Sequence, residues 1–343
     1  MLLNNQKILF TAPCVAQLLT EPLPDEPAAG QALVQTLYTA VSAGTERANL
    51  KGEHNLLSDR MEDPPYPRHF GYSGVARVLK TGTGCTRVKP GDRVIVYFGN
   101  HSSYNIFPEE KLFPLRFDSI GDQQAALLVI AGFPAEGVRK TGLELGESAL
   151  VMGLGILGLI AVQLARAGGA VPVIAADPNP KRRQLALQLG ADAALNPLQP
   201  DFQQQLLALT NGKGADVAVD AAGNTGATVQ ALQALARFGR ITLLGCTRTP
   251  GTYDLYHLVH GKGAHVIGAN NFARPAFESR PGNWTAEDDL FALQKLLHAG
   301  RLDLRPLISE VHPPEDAAAV YDRLLHDRDF PIGVLFDWTG GSV

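Results

Sequence analysis

The middle of the chain alternates short apolar runs with segments that have helical spacing. Between residues 148 and 245, the runs "SALVMG", "VPVIAAD", "ADVAVDAAG" and "RITLLG" are almost wholly apolar, whereas "ILGLIAVQLARAGG", "PKRRQLALQLG" and "DFQQQLLALTNG" repeat apolar residues at helical intervals. Strands that are buried on both faces have continuous apolar runs, and regular strand–helix alternation produces βαβ units. The pattern therefore predicts an α/β fold with a doubly wound parallel sheet.

The two ends of the chain have a different pattern. In residues 1 to about 115, "QALVQTLYTAVSAG", "GVARVLKTG" and "DRVIVYF" mix β-branched and aromatic residues between glycines and prolines, without a sustained helical period. This predicts a β-rich domain. A helix is expected at residues 286–299, and the tail after it holds one further helix and a strand-like run. That tail could cap the doubly wound domain or return to the β-rich one.

A glycine-rich turn lies where the first apolar run of the doubly wound region meets its helix. Gly153, Gly155 and Gly158 follow a predicted strand and open a predicted helix, which is the context of a dinucleotide fingerprint. The glycines allow a tight turn, a close approach to a pyrophosphate and helix–strand packing, while the helix N-terminus favours an anion. Asp177 ends the next apolar run, where a carboxylate can accept hydrogen bonds from the adenosine ribose.

Each of these features has a structural alternative. The glycines could be a small-residue packing motif, and Asp177 could be the N-cap of the helix in "PNPKRR", with Pro178 in its first turn. Asp177 favours NAD over NADP, although Lys181, Arg182 and Arg183 lie just downstream. A membrane span is not expected here, because Gln163 and Arg166 interrupt the apolar run.

Length, charge and cysteine content narrow the class of protein. A chain of 343 residues, 45% of them hydrophobic, is long enough for two ordinary domains. The net charge of −4 argues against nucleic acid or an anionic membrane as a main partner. The N-terminus lacks the features of a secretory signal, and the three dispersed cysteines fit neither a disulfide framework nor a metal knuckle. We therefore expect a cytoplasmic protein with reduced thiols.

Six blocks of sequence resemble the medium-chain dehydrogenase/reductase family over nearly the whole chain. They are "SAGTE" (residues 42–46), "HFGYSGVARV" (69–78), "VKPGDRV" (88–94), "GLGILG" (153–158), "GADVAVDAAG" (214–223) and "GRITLLG" (239–245). The resemblance implies a GroES-like catalytic domain, here residues 1–122 and 305–343, and a Rossmann domain, residues 123–304. It also implies a homodimer or tetramer, joined at the sheet edge near "AHVIGAN".

The zinc-binding positions of that family are blank in this sequence. The family's cysteine, histidine and glutamate ligands correspond to Ala43, Phe70 and Gly71, and a further ligand corresponds to the neighbourhood of Ile130. Zinc needs three or four nitrogen, sulfur or oxygen donors, and these residues supply none. The family's four-cysteine zinc lobe is also missing. The chain therefore resembles the zinc-free branch, near the bacteriochlorophyllide-type dehydrogenases, and no metal is expected.

Hydride transfer without zinc needs another group to handle the substrate proton. Thr45 matches the proton-relay hydroxyl of the family, and Glu46, His69 and Tyr72 lie in blocks expected to face the cleft. Each could instead be structural: Thr45 in a turn, Glu46 in a surface pair with Arg47, and Tyr72 in the core.

Further contacts are expected around the cofactor and substrate. The loop of residues 270–284 carries polar and aromatic side chains suited to a polyhydroxylated substrate, unless burial of its tryptophan simply clamps the loop. The substrate candidates are Asn271, Arg274 and Trp284. Besides the three glycines and Asp177, the cofactor candidates are Ile156, Leu157, Arg182, Ala222, Gly245 and Asn270.

These observations predict a zinc-independent oxidoreductase. It would transfer hydride between NAD(H) and a secondary alcohol or ketone, with a sugar or polyol as the small-molecule substrate. Two alternatives stay open at this point. One is a metal-free quinone or enoyl reductase that uses NADPH, and the other is a non-catalytic NAD-binding protein.

Overall fold

The chain divides into two units. The computed structural model describes residues 1–53, 66–248 and 250–340. Unit 1 comprises residues 1–130 and 303–343, and unit 2 comprises residues 131–302. The predicted boundaries lay after residue 122 and after residue 304, so the structural division comes later at the first boundary and slightly earlier at the second. The C-terminal tail returns to the β-rich unit, which decides between the two placements that its sequence allowed.

Unit 1 is built mainly from antiparallel strands. Its strands are β1 (Leu2–Ala12), β2 (Val15–Pro24), β3 (Gln31–Ala40), β4 (Arg68–His69), β5 (Ser73–Thr81), β6 (Arg93–Tyr97), β7 (Tyr104–Pro108), β8 (Leu112–Pro114), β15 (Ile308–His312) and β16 (Gly333–Asp337). Its helices are α1 (Ala43–Lys51), α2 (Asp122–Ala126) and α9 (Ala317–His326), while α3 (Leu128–Lys140) crosses the division. One sheet has the order β2-β1-β4, and the larger one has the order β15-β16-β3-β5-β6-β8, with β7 on β3.

The last strand of the chain completes the larger sheet of unit 1. β16 pairs in parallel with β15 and antiparallel with β3. Its Leu335 and Phe336 are fully buried, and Phe336 packs with Phe10 and Tyr321 in one apolar cluster. Residues from both ends of the chain therefore share one core, and the segment that carries α1 lies against it.

Unit 2 contains the predicted doubly wound sheet. Its strands are β9 (Ala149–Met152), β10 (Val173–Ala176), β11 (Ala193–Leu195), β12 (Ala215–Asp220), β13 (Leu235–Leu243) and β14 (His265–Gly268). Its helices are α4 (Ile156–Ala167), α5 (Pro180–Gln188), α6 (Phe202–Leu209), α7 (Thr225–Ala234) and α8 (Ala286–His298). The strand order is β11-β10-β9-β12-β13-β14, and every pairing is parallel. All residues of β9 and β10 are buried, as their apolar runs predicted.

One predicted helix ends earlier than its sequence suggested. The helical pattern of "TGATVQALQALARFG" stops at Ala234, and β13 begins at Leu235, which pairs with Ala215 of β12. Pairing in the sheet here overrides local helix propensity. None of the helices in the described ranges is both long and apolar enough to cross a bilayer, and α4, which contains the most apolar run, has 12 residues.

Candidate active site and cofactor-binding loop

The glycine-rich turn joins β9 to α4, and each glycine has a different reason to be there. Gly153 has a φ of 87°, and a Cβ on it would lie 2.7 Å from Cα of Ala222. A Cβ on Gly158 would lie 1.8 Å from the carbonyl oxygen of Gly153, so only glycine lets the helix pack this closely. Gly155 is the N-cap of α4 and has no heavy atom within 4 Å of its Cβ position. The turn is therefore crowded by protein at two glycines and open at the third.

Asp177 braces this turn from the end of β10. Its Oδ2 accepts a hydrogen bond from the amide of Leu154 at 2.8 Å, and its Oδ1 accepts one from the amide of Asn179 at 2.8 Å. The N-cap of α5 is Asn179, whose side chain accepts hydrogen bonds from the amides of Lys181 and Arg182. The interpretation of Asp177 as that N-cap is therefore wrong, because the helix begins at Pro180, later than assumed.

The basic residues after Asp177 are already engaged near it. Nη1 of Arg182 lies 4.0 Å from Oδ2 of Asp177, and Nη1 of Arg183 donates to the carbonyl oxygens of Asp177 and Pro178. A carboxylate has about four lone-pair sites, so Asp177 keeps acceptor capacity for a ribose hydroxyl. Its negative charge disfavours a 2′-phosphate.

Two further turns lie at the carboxyl ends of β12 and β13. The amide of Gly245 donates to the carbonyl oxygen of Asp220 at 2.7 Å, and the amide of Ala222 donates to the Asp220 side chain at 3.0 Å. Burial raises the pKa of Asp220. Asn270 is exposed and caps the short turn Asn271–Ala273, which contains the predicted Asn271. Ligands of open parallel sheets bind outside the carboxyl ends of the strands.

The described residues around this edge of unit 2 fit a dinucleotide. The first turn of α4 holds the half-buried Ile156 and Leu157, and the space beside Gly155 lets backbone amides approach a pyrophosphate. Asp177 supplies the carboxylate expected for the ribose.

Arg274 and Trp284, the other substrate candidates, are brought together inside unit 2 by a buried ion cluster. Nη1 of Arg274 donates to Oδ2 of Asp289 at 2.5 Å, and its Nε lies 2.9 Å from Oε2 of Glu136. The guanidinium of Arg139 stacks over the Trp284 ring, 3.5 Å from its centroid. Arg139 also donates to Asp289, which links the two side chains. These contacts match the alternative in which the loop of residues 270–284 is clamped, because Arg274 already has two buried partners and Trp284 lies against a half-buried one.

In unit 1, three hydroxyl groups meet at the start of α1. The Oγ of Ser42 lies 2.6 Å from the hydroxyl of Tyr72, and the Thr45 hydroxyl also forms a hydrogen bond with Tyr72. The backbone amide of Ser42, the N-cap residue, donates to Oε1 of Glu46 at 3.0 Å, which leaves the serine hydroxyl for Tyr72. We call Ser42, Thr45 and Tyr72 the hydroxyl cluster. All three residues are half-buried.

The surroundings of Tyr72 keep its phenol neutral. Burial raises the pKa of Tyr72 well above its ordinary value, and the negative charge of Glu46 raises it further, while the hydrogen bonds from Ser42 and Thr45 oppose the shift. The ring stacks on Phe98, with 5.5 Å between centroids. Tyr72 therefore keeps its hydroxyl proton at neutral pH.

Glu46 is fully buried and braces the hydroxyl cluster from behind. Its Oε2 accepts a hydrogen bond from the Tyr321 hydroxyl at 2.6 Å and lies 3.3 Å from Nε2 of His101. Arg47, its proposed surface partner, instead donates to the carbonyl oxygen of Leu324. The surface-pair interpretation of Glu46 is therefore wrong: the carboxylate points into the unit.

Three residues of this network were not predicted. Ser42 could have been found from the pattern of a serine before a helix with an acidic residue in its first turn. His101 lies in a stretch that has no motif, and Tyr321 is 275 positions from Glu46. No local pattern points to either of them.

His69 lies elsewhere in unit 1. It is exposed on β4, where it pairs with Leu9 of β1. Partial burial and the positive charge of Lys7 lower its pKa, and the charge of Glu21 opposes them. The structure therefore brings Thr45, Glu46 and Tyr72 together. His69 lies apart from them, beside Lys7 and Glu21.

The positions that correspond to zinc ligands hold residues that pack closely against their neighbours. Ala43 and Phe70 pack against the core of unit 1, where Phe70 stacks on Phe10 at 4.8 Å, and Ile130 is fully buried. A Cβ on Gly71 would lie 2.3 Å from the backbone nitrogen of His101. Within residues 1–53, 66–248 and 250–340, no group of three or more His, Cys, Asp or Glu side chains is placed to hold a metal. The residues present do not fit zinc at these positions.

Comparisons with known proteins point to one superfamily. Residues 157–280 match a family model described as zinc-binding dehydrogenase. L-threonine 3-dehydrogenase of Pyrococcus horikoshii is 26% identical over 335 residues, covering 88% of this chain and 90% of the relative. D-guloside 3-dehydrogenase of Escherichia coli K12 is 29% identical over 357 residues, covering 96% of this chain and 100% of the relative. An E. coli CFT073 structure, described as a short chain alcohol dehydrogenase complexed with NADH, has a TM-score of 0.82 at 20% identity and covers 97% of this chain and 99% of that one.

These findings support the medium-chain, alcohol dehydrogenase-like superfamily. They bear out the predicted enzyme class, an NAD(P)-dependent oxidoreductase, and the predicted α/β fold with its Rossmann-type sheet and β-rich domain. The matched family is named for zinc binding, but the matched residues 157–280 belong to unit 2, whereas Ala43 and Phe70 belong to unit 1. The zinc-free branch and the bacteriochlorophyllide-type subgroup stay predictions.

Proposed function

We propose that this medium-chain dehydrogenase works without zinc and transfers hydride between NAD(H) and a secondary alcohol or ketone. The observation that carries the proposal is the packing around Gly71, where any side chain would overlap the backbone of His101. A second support is the hydroxyl cluster, which offers a proton donor in the same unit.

The residues of unit 2 support NAD as the cofactor. When bound, its nicotinamide ring accepts or supplies the hydride. In the proposal, the turn at Gly153, Gly155 and Gly158 holds the pyrophosphate, and Asp177 holds the adenosine ribose while disfavouring a 2′-phosphate.

The hydroxyl cluster performs the proton half of the reaction in this proposal. In ketone reduction, the carbonyl carbon gains the hydride and the carbonyl oxygen takes the proton of the Tyr72 hydroxyl. The Ser42 hydroxyl, 2.6 Å away, gives its proton to the Tyr72 oxygen and takes one from solvent water in the same step, so that both hydroxyls end neutral. Because burial raises the pKa of Tyr72, its neutral donor form dominates, and the same hydroxyl stabilises negative charge on the substrate oxygen.

A sugar or polyol is the proposed substrate class. The relative named D-guloside 3-dehydrogenase aligns over 96% of this chain and 100% of its own length. Its name favours a sugar derivative with a secondary hydroxyl. Because the guanidinium of Arg274 is paired with Glu136 and Asp289, other residues select the sugar hydroxyls in this proposal.

The purified chain tests the proposal directly. Metal analysis, a chelator challenge, NADH and NADPH titrations, and turnover across sugars, polyols and aldehydes are measured on one preparation. We expect substrate-dependent NADH formation that survives chelation. A tightly held zinc ion in each chain would contradict the mechanism. Much tighter NADPH binding would favour a quinone or enoyl reductase, and NAD binding without turnover would favour a non-catalytic protein.

We also propose that two or four copies of the chain associate through β14. This strand is the last in its sheet, and three of its four residues are exposed, including the apolar Val266. A lysine on an edge strand blocks edge-to-edge pairing. Light scattering should therefore show a smaller particle for Val266→Lys than for the unaltered chain, and equal masses would contradict this interface.

A further inference from the structure

Both sides of the Ser42–Tyr72 hydroxyl pair connect to one residue, His101. His101 is 1% exposed and lies between β6 and β7. Its Nδ1 lies 2.6 Å from Oγ1 of Thr39, and Thr39 also accepts a hydrogen bond from Nε1 of Trp338 at 2.9 Å. The imidazole is therefore held at one nitrogen by β3, which leaves the other nitrogen facing Glu46.

The side chain of His101 reaches Ser42 through Glu46. Nε2 of His101 lies 3.3 Å from Oε2 of Glu46, and Oε1 of Glu46 accepts the amide hydrogen of Ser42 at 3.0 Å. With Thr39 donating to Nδ1, Nε2 carries the proton and donates to the carboxylate, so one neutral tautomer satisfies both contacts. Glu46 in turn holds the backbone of Ser42, the N-cap residue of α1.

The backbone of His101 reaches Tyr72 from the other side. The amide of His101 donates to the carbonyl oxygen of Phe70 at 2.5 Å, and the amide of Phe98 donates to the carbonyl oxygen of Tyr72 at 3.0 Å. Between these two bonds lies Gly71, with a φ of 107°, where a Cβ would meet the His101 nitrogen. The turn that carries His101 therefore sets the position of the Tyr72 backbone.

We propose that His101 is a positioning residue, which holds Ser42 through its imidazole and Glu46, and Tyr72 through its backbone, at the separation needed for proton transfer. The inference rests on the proposed function, since it assigns a role within the hydroxyl cluster. His101 acts only through Glu46 and Phe70.

Two substitutions of His101 separate its two side-chain contacts. The amide of His101→Asn can reach Thr39 but not Glu46, whereas the longer His101→Gln can donate to Glu46. The matched control is Ser102→Ala, which removes a buried hydroxyl from the same turn and its 2.8 Å bond to Asn5, without touching Glu46. Glu46→Gln, which keeps an acceptor for the Ser42 amide at similar volume, serves as a second probe if the histidine variants fail to fold.

The kcat and the titration of Tyr72 are each compared with those of the Ser102→Ala control. We expect His101→Asn to lower kcat about tenfold or more relative to Ser102→Ala, with KM for NAD unchanged, because a lost hydrogen bond to a charged group has about this effect. His101→Gln should recover most of kcat, and Glu46→Gln should resemble His101→Asn. The tyrosinate absorbance of Tyr72, isolated by difference from Tyr72→Phe, should titrate at a higher pH in His101→Asn than in Ser102→Ala, because the hydrogen bond from Ser42 that lowers the pKa of Tyr72 is weakened.

The inference is overturned if His101→Asn matches Ser102→Ala in kcat, or if the Tyr72 titration is the same in both. The titration needs no substrate. Full activity in Tyr72→Phe would exclude Tyr72 as the proton donor. The titration would still decide whether His101 positions Tyr72. The two failures are therefore distinguishable.

Discussion

At the scale of single residues, the hydroxyl of Tyr72 has the most specific surroundings in the candidate site. Burial and the nearby carboxylate of Glu46 favour the neutral phenol, and the short contact with Ser42 gives a path by which its proton is replaced in ketone reduction. The same carboxylate has no role as a solvent-exposed base, because it is fully buried and receives hydrogen bonds from the Ser42 amide and the Tyr321 hydroxyl.

Replacing Tyr72 by phenylalanine tests the proton donor. We expect kcat to fall about a hundredfold or more, because positioned acid–base groups contribute rates of this order, with NAD affinity unchanged. The matched control is Tyr38→Phe, which loses a 3.2 Å bond to Asp337 in the same unit. Equal activity in the two variants, measured by steady-state kinetics, would remove Tyr72 from the mechanism.

Asp177→Asn tests cofactor choice. The amide keeps an acceptor for the amide of Leu154 but loses the negative charge, so we expect NADP affinity to rise about tenfold or more relative to NAD. Fluorescence titration with both reduced cofactors gives the ratio. Asp192→Asn is the control, since its carboxylate accepts from Val173 at the opposite end of β10. An unchanged ratio in Asp177→Asn would mean that another residue selects the cofactor.

At the scale of elements, the ion cluster fastens the loop of residues 270–284 to α3 and α8. Glu136 on α3 and Asp289 on α8 both lie within ion-pair distance of Arg274. Buried ion pairs of this kind define a geometry more than they add stability, and removal of one partner leaves buried charge uncompensated.

Arg274→Ala distinguishes a clamp from a substrate contact. A clamp predicts a loss of at most about 3 kcal/mol in the free energy of unfolding, with little change in substrate KM. Each of the two buried carboxylates loses one of two cationic partners, since Glu136 keeps Lys140 and Asp289 keeps Arg139. Denaturant unfolding and steady-state kinetics measure the two effects. Arg280→Ala, an exposed arginine of the same loop, should change neither quantity. A raised KM with normal stability would restore the substrate role predicted for Arg274.

At the scale of the whole molecule, unit 1 depends on the joining of distant segments. The N-terminal amine of Met1 pairs with Asp25 at 2.6 Å, and Lys80 pairs with the other oxygen of Asp25 at 2.7 Å. The hydrogen bonds from Lys80 and the N-terminus lower the pKa of Asp25 from 3.8 to about 2. This network, in which Asp25 is largely buried and its two cationic partners are exposed, gives unit 1 an acid-sensitive contribution to stability.

The sign of that contribution follows from the lowered pKa. The stabilisation from Asp25 is present above pH 3.8 and is lost as the pH falls toward about 2. Asp25→Asn should therefore melt below the unaltered chain at neutral pH, and the difference should shrink across this window. Thermal denaturation at several pH values measures it, with Asp303→Asn as a control in another salt bridge. A difference that persists at the acid end would exclude this linkage.

The local parts of the fold were predictable because neighbours along the chain determine them. Strands β9 and β10 were recognised from apolar runs, and the turn between β9 and α4 from three glycines whose crowding or openness the structure explains. The placement of the tail was not predictable, since an apolar strand such as β16 can pack against either unit.

The sequence by itself determined the doubly wound sheet, the glycine turn, Asp177 beside it and the lack of donors at Ala43, Phe70 and Gly71. These features depend on hydrophobic periodicity, backbone sterics and residue type, all of which act over short separations. Only the tertiary structure decided what surrounds Glu46, whose partners His101 and Tyr321 lie 55 and 275 positions away. It also decided that Arg274 is buried in an ion cluster. A polar residue has the same appearance in a sequence whether it meets solvent or a buried partner, and folding makes that choice through contacts between distant segments.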